Sequence, residues 1–563
     1  MSPKKPNFLV IVADDLGFTD VGCFGGEIHT PNLDRLGQDG LRFSGFHTAS
    51  ACSPTRSMLL SGTDNHLAGL GQMAEYARGF PEKFAGKPGY EGYLNFRVAA
   101  LTEILSPEYY TLISGKWHLG LDEPHWPDKR GFEKSFTLLP GAGNHYKFDI
   151  EEKNFMPFIY QENGRRLDVE KDLPEDFYST EYFTDKFLEY LDDNEQRDER
   201  PFLGLLTYTA PHWPLQAPRE TIEKYKGRYS EGPLALRRSR LRNAAKQGII
   251  EEGVIPHLVE TKNDKVWDEL NQEDRDISSR IMETYAAMVD ELDKNIGRVL
   301  DKLEETGELD NTVIIFMSDN GAEGMLLEAL PFGGKVFGDK ITQKYDNSYA
   351  NIGNGNSFVF YGDLWAQAAT APRYMYKMWA TEGGINCPLI FHYPPLTKER
   401  KSGNVIDEFT TVMDILPTLL ELAGTPHPGP RFQGREVHTP RGKSWLPYLQ
   451  DSLNRIHDEH TLTGWELFGQ RAIRKDNWKA VYIPEPMGTG DWQLFDLSKD
   501  LGETTDVRSE YPEKLNDLVE YWSIYVAETG LVEINEYPEG TEYNRTIIKD
   551  DLSETFREAG AIS

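Results

Sequence analysis

The chain contains few cysteines: only Cys23, Cys52 and Cys387 occur among its 563 residues. A disulfide framework is typical of short, cysteine-rich secreted chains, so this chain is not expected to depend on one. Its hydrophobic residues make up 39% of the sequence, which is enough for a large buried core and more than one domain. A hydrophobic core, and not cross-linking, therefore has to stabilise the fold.

Basic residues and long apolar runs are also scarce. Sixty Lys and Arg residues stand against 91 Asp and Glu residues, and the net charge of −31 disfavours binding to nucleic acid or to anionic lipid. No segment approaches the run of about 18 apolar residues that indicates a membrane span. Residues 1–6 lead into a strand pattern without the apolar core of a signal peptide. We therefore expect a cytoplasmic protein without a nucleic-acid or membrane partner, and the oligomeric state stays open.

Short β-rich runs alternate with amphipathic helical stretches, a pattern typical of an α/β fold with a largely parallel sheet. Residues 7–13 have the continuous apolar character of a strand that is buried on both faces. Ser53 and Pro54 supply the start signal of a helix that Gly62 ends. The further predicted strands are 110–114, 202–208, 313–317 and 389–392, and the further predicted helices are 31–38 and 277–303.

The composition changes after residues 426–430. Short alternating runs between 464 and 497 predict a small antiparallel sheet, and a helix is expected at 512–528. We therefore divide the chain into a catalytic domain, 1–440, and a C-terminal α+β subdomain, 441–563, which ends in an extended tail. Residues 321–376 are rich in Gly, Asn, Tyr and Phe, and predict a long excursion from the sheet. Its aromatic side chains either line a substrate site or pack the loop itself.

Most of the chemically reactive side chains follow a predicted strand. Asp14-Asp15, Lys116-Trp117-His118, Ala210-Pro211-His212 and Asp319-Asn320-Gly321 each come at the end of one. In open α/β sheets, ligands bind beyond the carboxyl ends of the strands. We therefore expect these four segments to converge on one site.

Their chemistry indicates a metal and an anion. The carboxylates and amide of Asp14, Asp15, Asp319 and Asn320 are hard oxygen ligands that suit Ca²⁺ or Mg²⁺. Each pair alone is more typical of a turn, but two such pairs after two buried strands favour a metal site. Lys116 and His118 alternate around Trp117, so both would project from one face if the strand continues. Such a pair could bind an anion and transfer a proton.

Cys52 lies in a Cys-x-Pro-x-Arg sequence, which by itself also fits a small apolar residue at the start of a helix. Together with the strand-end segments, however, the sequence resembles the type I, formylglycine-dependent sulfatases of the alkaline phosphatase superfamily, and most of all the bacterial arylsulfatases of the Pseudomonas type. The resemblance covers nearly the whole chain. It is carried by Asp14–Gly17, Thr30–Leu36, Cys52–Arg56, Gly115–Gly120, Ala210–His212, Ser318–Gly321, Lys377, Glu382–Gly384 and Leu494–Leu497. Ser61 departs from the family signature, which usually has Thr at that position.

The resemblance implies a large mixed, mostly parallel sheet flanked by helices, followed by a smaller C-terminal domain with an antiparallel sheet and a helix. It also implies hydrolysis of sulfate monoesters, aryl sulfates above all, to a phenol or alcohol and inorganic sulfate. A formylglycine-generating enzyme would be a partner during maturation and would convert Cys52 to formylglycine. The hydrate of that residue would attack sulfur and form a covalent sulfo-enzyme intermediate.

The resemblance also assigns the metal ligands. Asp14, Asp15, Asp319 and Asn320, together with the modified Cys52, would hold one Ca²⁺ ion in preference to Mg²⁺. Asp319 would in addition help to deprotonate the attacking hydroxyl group.

The remaining roles are those of cations and proton carriers. Arg56 would brace the formylglycine hydrate, and Lys116 and Lys377 would neutralise the sulfate oxygens. His212 would lie with Lys377 near the leaving group and donate a proton to it. His118 would take the proton from the remaining hydroxyl group, so that sulfate is released and the aldehyde is restored.

Three alternatives remain open from the sequence. A phosphonate or phosphodiester hydrolase of the same superfamily could use the same nucleophile and metal. The substrate could instead be an alkyl sulfate or choline sulfate. If the host does not modify Cys52, the chain could be a calcium-binding protein without turnover.

Overall fold

The computed structural model describes residues 4–148, 158–261, 266–324, 334–398, 404–535 and 546–548. Most of the tail predicted after Gly530, and residues 325–333 of the predicted excursion, lie outside these ranges.

A mixed sheet of ten strands forms the centre of the described part of the chain. Its order is β10-β2-β9-β8-β1-β7-β3-β4-β5-β6. The strands are β1 (Asn7–Ala13), β2 (Leu41–Phe43), β3 (Tyr110–Lys116), β4 (Lys134–Leu138), β5 (Tyr160–Glu162), β6 (Arg165–Arg166), β7 (Phe202–Thr207), β8 (Thr312–Ser318), β9 (Leu389–His392) and β10 (Val405–Ile406).

The five central strands, from β8 to β4, run parallel, whereas β9, β5 and β6 each pair antiparallel with their neighbours. Strand β1 lies between β7 and β8, where Val10 is in register with Leu205 and Ile315. All seven residues of β1 are buried, as a strand covered on both faces requires. The predicted mixed, mostly parallel α/β sheet is confirmed.

The alternation of side chains along β1 divides the core into two layers. Leu9 and Ile11 point into one layer together with Leu292 of the long helix. Phe8 and Val10 point into the other, together with Leu416. Nine described helices have at least eight residues: α1 (Pro31–Asp39), α2 (Cys52–Ser61), α3 (Ser179–Leu191), α4 (Pro233–Lys246), α5 (Gln272–Glu305), α6 (Gly334–Lys344), α7 (Asp363–Thr370), α8 (Ile415–Ala423) and α9 (Pro512–Thr529).

A second, antiparallel sheet follows near the C-terminus. It consists of β11 (Leu462–Leu467), β12 (Gln470–Lys475), β13 (Trp478–Tyr482) and β14 (Trp492–Asp496), in that order. One face packs against α9 through Ile473 and Trp522. The other face joins the main core through Trp465 and Val481. The predicted C-terminal sheet and helix are therefore present, while the domain boundary at residue 440 stays a prediction.

Shorter elements connect these layers. The short helices are Asn65–Ala68, Ala74–Gly79, Pro81–Phe84, Leu101–Leu105, Val169–Asp172, Asn194–Arg197, Arg219–Lys224, Glu382–Ile385, Pro394–Thr397 and Leu446–Leu449. Strand pairs form between Phe46–His47 and Thr410–Thr411, between Arg431–Phe432 and Arg435–Glu436, and between Val259–Thr261 and Thr546–Ile548. Within the described ranges, no helix combines the length and the apolar character that crossing a membrane would need.

Candidate active site

The loops after the central parallel strands lie side by side at the carboxyl end of the sheet. The backbone N–H of Asp14 donates to the carbonyl of Ala210 at 3.1 Å, and that of Asp319 donates to the carbonyl of Ala13 at 3.2 Å. The ladder of the sheet thus continues one residue beyond β1 and β8. This continuation brings Asp14, Asp15, Asp319 and Asn320 together, as the sequence predicts.

Cys52 is the first residue of α2, and its side chain reaches the same place. Its Sγ lies 3.2 Å from Oδ1 of Asp14 and 3.7 Å from Oδ1 of Asp15. The residue is 1% exposed. Burial, reinforced by the charges of Asp14 and Asp319, raises the pKa of the Cys52 thiol well above its usual value. The unmodified side chain is therefore a neutral thiol in this setting, and not the thiolate that nucleophilic cysteines need.

Arg56 lies one helical turn after Cys52 and links two of the strand-end loops. Its Nε and Nη2 donate to Oδ2 of Asp319 at 3.0 and 2.8 Å, and its Nη1 donates to the carbonyl of Lys116 at 2.9 Å. Burial and the neighbouring Asp14 carboxylate raise the pKa of Asp319 to about 6, against the opposing charge of Arg56. Arg56 thus fixes the orientation of the Asp319 carboxylate relative to the strand that carries Lys116.

Two buried ammonium groups face the carboxylates that follow β1. Nζ of Lys116 donates to both carboxylate oxygens of Asp14, at 2.9 and 2.7 Å. Nζ of Lys377 donates to Oδ2 of Asp15 at 2.9 Å. Burial alone would lower both lysine pKa values, but the carboxylate charges outweigh it and raise them. Both side chains are therefore positively charged at neutral pH.

His212 completes this side of the site. Its Nε2 lies 3.4 Å from Oδ2 of Asp15 and 3.4 Å from Nζ of Lys377. Its Nδ1 lies 2.6 Å from the carbonyl of Trp213, an acceptor, so Nδ1 carries the proton and Nε2 is left as the acceptor in the neutral ring. Burial holds the pKa of His212 well below its usual value.

His118 has a different local geometry from the one that the alternation pattern suggests. Strand β3 ends at Lys116, and His118 has a left-handed backbone with φ of 55°, so the strand does not continue through it. Lys116 and His118 therefore do not share the face of one strand. The ring instead lies beside a glutamate, with Nε2 of His118 at 3.4 Å from Oε1 of Glu75.

Sequence reasoning missed two acidic residues in contact with predicted site residues. Oε2 of Glu323 lies 3.1 Å from Nζ of Lys377, so this lysine faces both Asp15 and Glu323. Glu323 follows the Asp319 segment closely, and this position after β8 could have identified it. Glu75 belongs to a short helix remote from any strand end, and nothing in the local sequence marks it.

The oxygen atoms of the site fit a hard divalent cation. Ligand atoms of Asp14, Asp15, Cys52 and His212 all lie within 4.8 Å of one another. Oδ1 of Asn320 is buried and has no hydrogen-bond partner within the described residues, as expected of an atom that binds a metal ion. The site holds more carboxylates than cations, so a divalent ion would also make it suitable for an anionic substrate.

Comparison with known proteins agrees with this geometry. A protein-family model described as Sulfatase matches residues 6–425. The chain belongs to the sulfatase family. It is 56% identical over 536 residues to an uncharacterized sulfatase of Schizosaccharomyces pombe, covering 94% of this chain and 95% of that protein. It is 37% identical over 430 residues to an arylsulfatase of Klebsiella aerogenes, covering 75% of this chain and 87% of that protein.

The fold of this sulfatase is similar to that in the crystal structure of Ps i-CgsB. The TM-score is 0.65 at 22% identity, and the match covers 99% of this chain and 98% of that chain. The resemblance stated from the sequence motifs is confirmed, and the protein is a sulfuric ester hydrolase.

Proposed function

We propose that this sulfatase hydrolyses aryl sulfate esters, with a formylglycine derived from Cys52 as its nucleophile and Ca²⁺ as its metal ion. The observation that carries the proposal is the position of Cys52 at the start of α2, 3.2 Å from Asp14 and among three buried cations. A formylglycine hydrate supplies one hydroxyl group for attack on sulfur and a second that later expels the sulfate. A buried neutral thiol supplies neither, which favours the modified residue.

The proposed calcium ligands are Asp14, Asp15, Asp319, Asn320 and the modified residue at position 52. What supports this set is its oxygen chemistry together with the unsatisfied Oδ1 of Asn320. The ion would supply positive charge where the sulfate group and the nucleophile meet.

Three cations of the chain are proposed to bind and orient the sulfate group. The ammonium group of Lys116 contacts Asp14, and that of Lys377 contacts the neighbouring Asp15. Both ammonium groups can turn from these aspartates to sulfate oxygens. Arg56 is proposed to brace the hydrate, since it lies on the same helix face as Cys52 and is held by Asp319. The N-terminus of α2 adds a favourable dipole for an anion.

Proton transfer to the leaving group is proposed to involve His212 and Lys377 together. The Nδ1 proton of His212 is engaged by the carbonyl of Trp213, so the neutral ring cannot itself donate from Nε2. Nζ of Lys377 lies 3.4 Å from Nε2, so both groups can face the same leaving oxygen. We therefore propose that His212 donates to the leaving oxygen when its ring is protonated, and that the ammonium group of Lys377 stabilises the negative charge that develops there.

Two further groups are proposed to handle the protons of the nucleophile. Asp319, oriented by Arg56, would help to deprotonate the attacking hydroxyl group. His118 would take the proton of the remaining hydroxyl group when sulfate leaves, which requires a neutral ring. Burial lowers the pKa of His118 and so favours that state.

An aromatic cluster beside His212 supports the preference for aryl esters. The ring of Trp213 lies 4.4 Å from that of His212 and 5.7 Å from that of Phe358, measured between centroids. Phe358 and Tyr345 form a small cluster with Trp213 next to the proposed leaving-group side. By contrast, Trp365 packs on Trp267, away from this cluster. The 37% identical arylsulfatase of Klebsiella aerogenes is consistent with the same preference.

The test combines mass spectrometry of the peptide that contains Cys52 with turnover of an aryl sulfate by the same preparation. We expect an aldehyde at position 52, bound calcium, and release of phenol and sulfate, all of which require Cys52. An aldehyde with turnover of alkyl sulfates or phosphonates but not of aryl sulfates would refute the substrate assignment. An unmodified thiol in an active preparation would refute the nucleophile assignment.

A further inference from the structure

His118 lies in a setting that constrains its ring and places a carboxylate beside one of its two nitrogens. The residue is 6% exposed, and within the described part of the chain neither ring nitrogen makes a hydrogen bond. Gly141 borders the ring so closely that a Cβ there would lie 2.4 Å from Cε1 and 2.6 Å from Nε2 of His118. The ring therefore has little freedom to move, and the remaining question is which nitrogen carries its proton.

The carboxylate of Glu75 approaches one of the two nitrogens. Its Oε1 lies 3.4 Å from Nε2 of His118, while its other oxygen, Oε2, is buried and has no hydrogen-bond partner within the described residues. A carboxylate beside one imidazole nitrogen stabilises the tautomer that has its proton there. The opposite nitrogen, Nδ1, then keeps its lone pair.

The position of Glu75 depends on the second sheet. Glu75 belongs to the helix Ala74–Gly79, whose Tyr76 is 1% exposed and packs on Phe468 with ring centroids 4.6 Å apart. Phe468 lies in the turn between β11 and β12, and its backbone N–H donates to Oε1 of Gln72. The short helix is thus anchored at both its start and its first turn, which fixes the carboxylate relative to His118.

We propose that Glu75 is a positioning residue that holds His118 in its Nε2–H tautomer, so that Nδ1 is the atom that accepts the proton during sulfate release. This inference deepens the proposed function and rests on it for the role of His118. The tautomer itself is a property of the chain and can be measured without turnover.

The first test is nitrogen-15 NMR of protein labelled at histidine, with the signals of His118 assigned by their loss in a His118→Asn variant. We expect the native protein to show a protonated Nε2 and an unprotonated Nδ1. Glu75→Ala should shift His118 towards the other tautomer or a mixture, and Glu75→Asp should retain the native one. An unchanged tautomer in Glu75→Ala would overturn the proposal, whether or not the enzyme is active.

The second test is kinetic and uses an aryl sulfate. Glu75→Ala should lower kcat by about ten- to a hundredfold, with a rapid burst of phenol followed by slow turnover, because sulfate release becomes limiting. Peptide mass spectrometry should then find sulfated residue 52 in the steady state. Glu75→Gln keeps the side-chain volume and an acceptor oxygen, so it should fold as the native protein does and lose less activity than Glu75→Ala.

Glu82→Ala, which changes an exposed glutamate of the next short helix, is the matched control and should leave kcat unchanged. If Glu75→Ala and Glu75→Gln lost kcat equally, with neither a burst of phenol nor a sulfated residue 52, Glu75 would not act through the release step. If the native protein lacked the aldehyde or the aryl sulfatase activity, the proposed function would fail, while the tautomer measurement would still decide the role of Glu75.

Discussion

Two buried charge clusters in this molecule have similar composition and different consequences. The candidate active site pairs Lys116 and Lys377 with Asp14 and Asp15. The other cluster, which we call the interface cluster, consists of Lys479, Glu382, Glu503 and His47. There Nζ of Lys479 lies 2.8 Å from Glu382 and 2.9 Å from Glu503, and Nε2 of His47 lies 2.9 Å from Glu382.

The interface cluster joins the second sheet to the main body. Lys479 is in β13, and the backbone N–H of Glu382 donates to Glu503 at 2.7 Å. One lysine lies between two carboxylates, so its charge is compensated by neighbours of fixed position. In the active site the lysines contact different aspartates, and Oδ1 of Asn320 lacks a partner within the described residues. Buried ion pairs alone therefore do not identify a reactive centre; the active-site cluster differs in that its aspartates follow the carboxyl ends of parallel strands.

The largest expected effect is a loss of turnover that leaves the stability of the fold almost unchanged. Cys52→Ala should lower turnover of an aryl sulfate by at least roughly a thousandfold, because no nucleophile remains. Its thermal unfolding midpoint should stay within a few degrees of the native value, since only one small side chain is replaced by another of similar size. Steady-state kinetics and calorimetry on the same samples measure both. Retention of substantial activity would contradict the assignment.

The second prediction compares the loss of one lysine from each of the two charge clusters. Lys479→Met should reduce the free energy of unfolding by roughly 3–5 kcal/mol, because it leaves two buried carboxylates without their cation. Lys116→Met is the matched variant: it leaves Asp14 without its ammonium partner in the active site. Added Ca²⁺ should restore much of the stability lost in Lys116→Met and none of that lost in Lys479→Met, as measured by chemical denaturation. Equal recovery in both variants would remove the distinction between the clusters.

The third prediction concerns pH. Burial raises the pKa of Glu503 to about 7 in the folded protein, because burial and the charge of Glu382 together outweigh the opposing charge of Lys479. A carboxyl whose folded pKa is raised contributes stability below its unfolded pKa and loses it as pH rises through the folded value. The native protein should therefore lose on the order of 2–3 kcal/mol between pH 5 and 8 relative to Glu503→Gln. Denaturation curves of both proteins across this range test it, and parallel pH dependences would refute it.

The smallest expected effect tests whether the aromatic cluster that contains Trp213 contacts the aryl group of a substrate. Trp213→Leu should raise KM for an aryl sulfate by about three- to tenfold, because an aromatic contact of about 1 kcal/mol is lost. KM for a small alkyl sulfate should change little. Trp213→Phe is the control and should remain close to the native protein. An equal rise for both substrates would show that Trp213 does not contact the leaving group.

The sequence allowed the centre of the fold to be predicted better than its edges. Residues 7–13 and 389–392 were predicted as strands with the observed bounds, because continuous apolar runs indicate burial on both faces. Strand β4 was missed, since Lys134–Leu138 mixes polar and apolar residues and lies further from the centre. The long helix was predicted at 277–303 and begins earlier, at Gln272, where the side chain of Asn271 caps it.

The same distinction holds for the site. Asp14, Lys116, His212 and Asp319 each follow a strand, and the topology of a parallel sheet is enough to predict that they converge. Glu75 could not be found in this way. Its place beside His118 depends on a contact between the short helix Ala74–Gly79 and a turn that lies almost 400 residues later. Long-range packing of this kind leaves no trace in a local pattern.

That contact has a consequence for the order of events during biosynthesis. Phe468 leaves the ribosome only after the whole segment that matches the sulfatase family, residues 6–425, has been synthesised. Until then Tyr76 has no Phe468 to pack on, and the helix next to His118 has no anchor from the second sheet. The surroundings of His118 are therefore completed only when the second sheet has been synthesised and has packed on this helix.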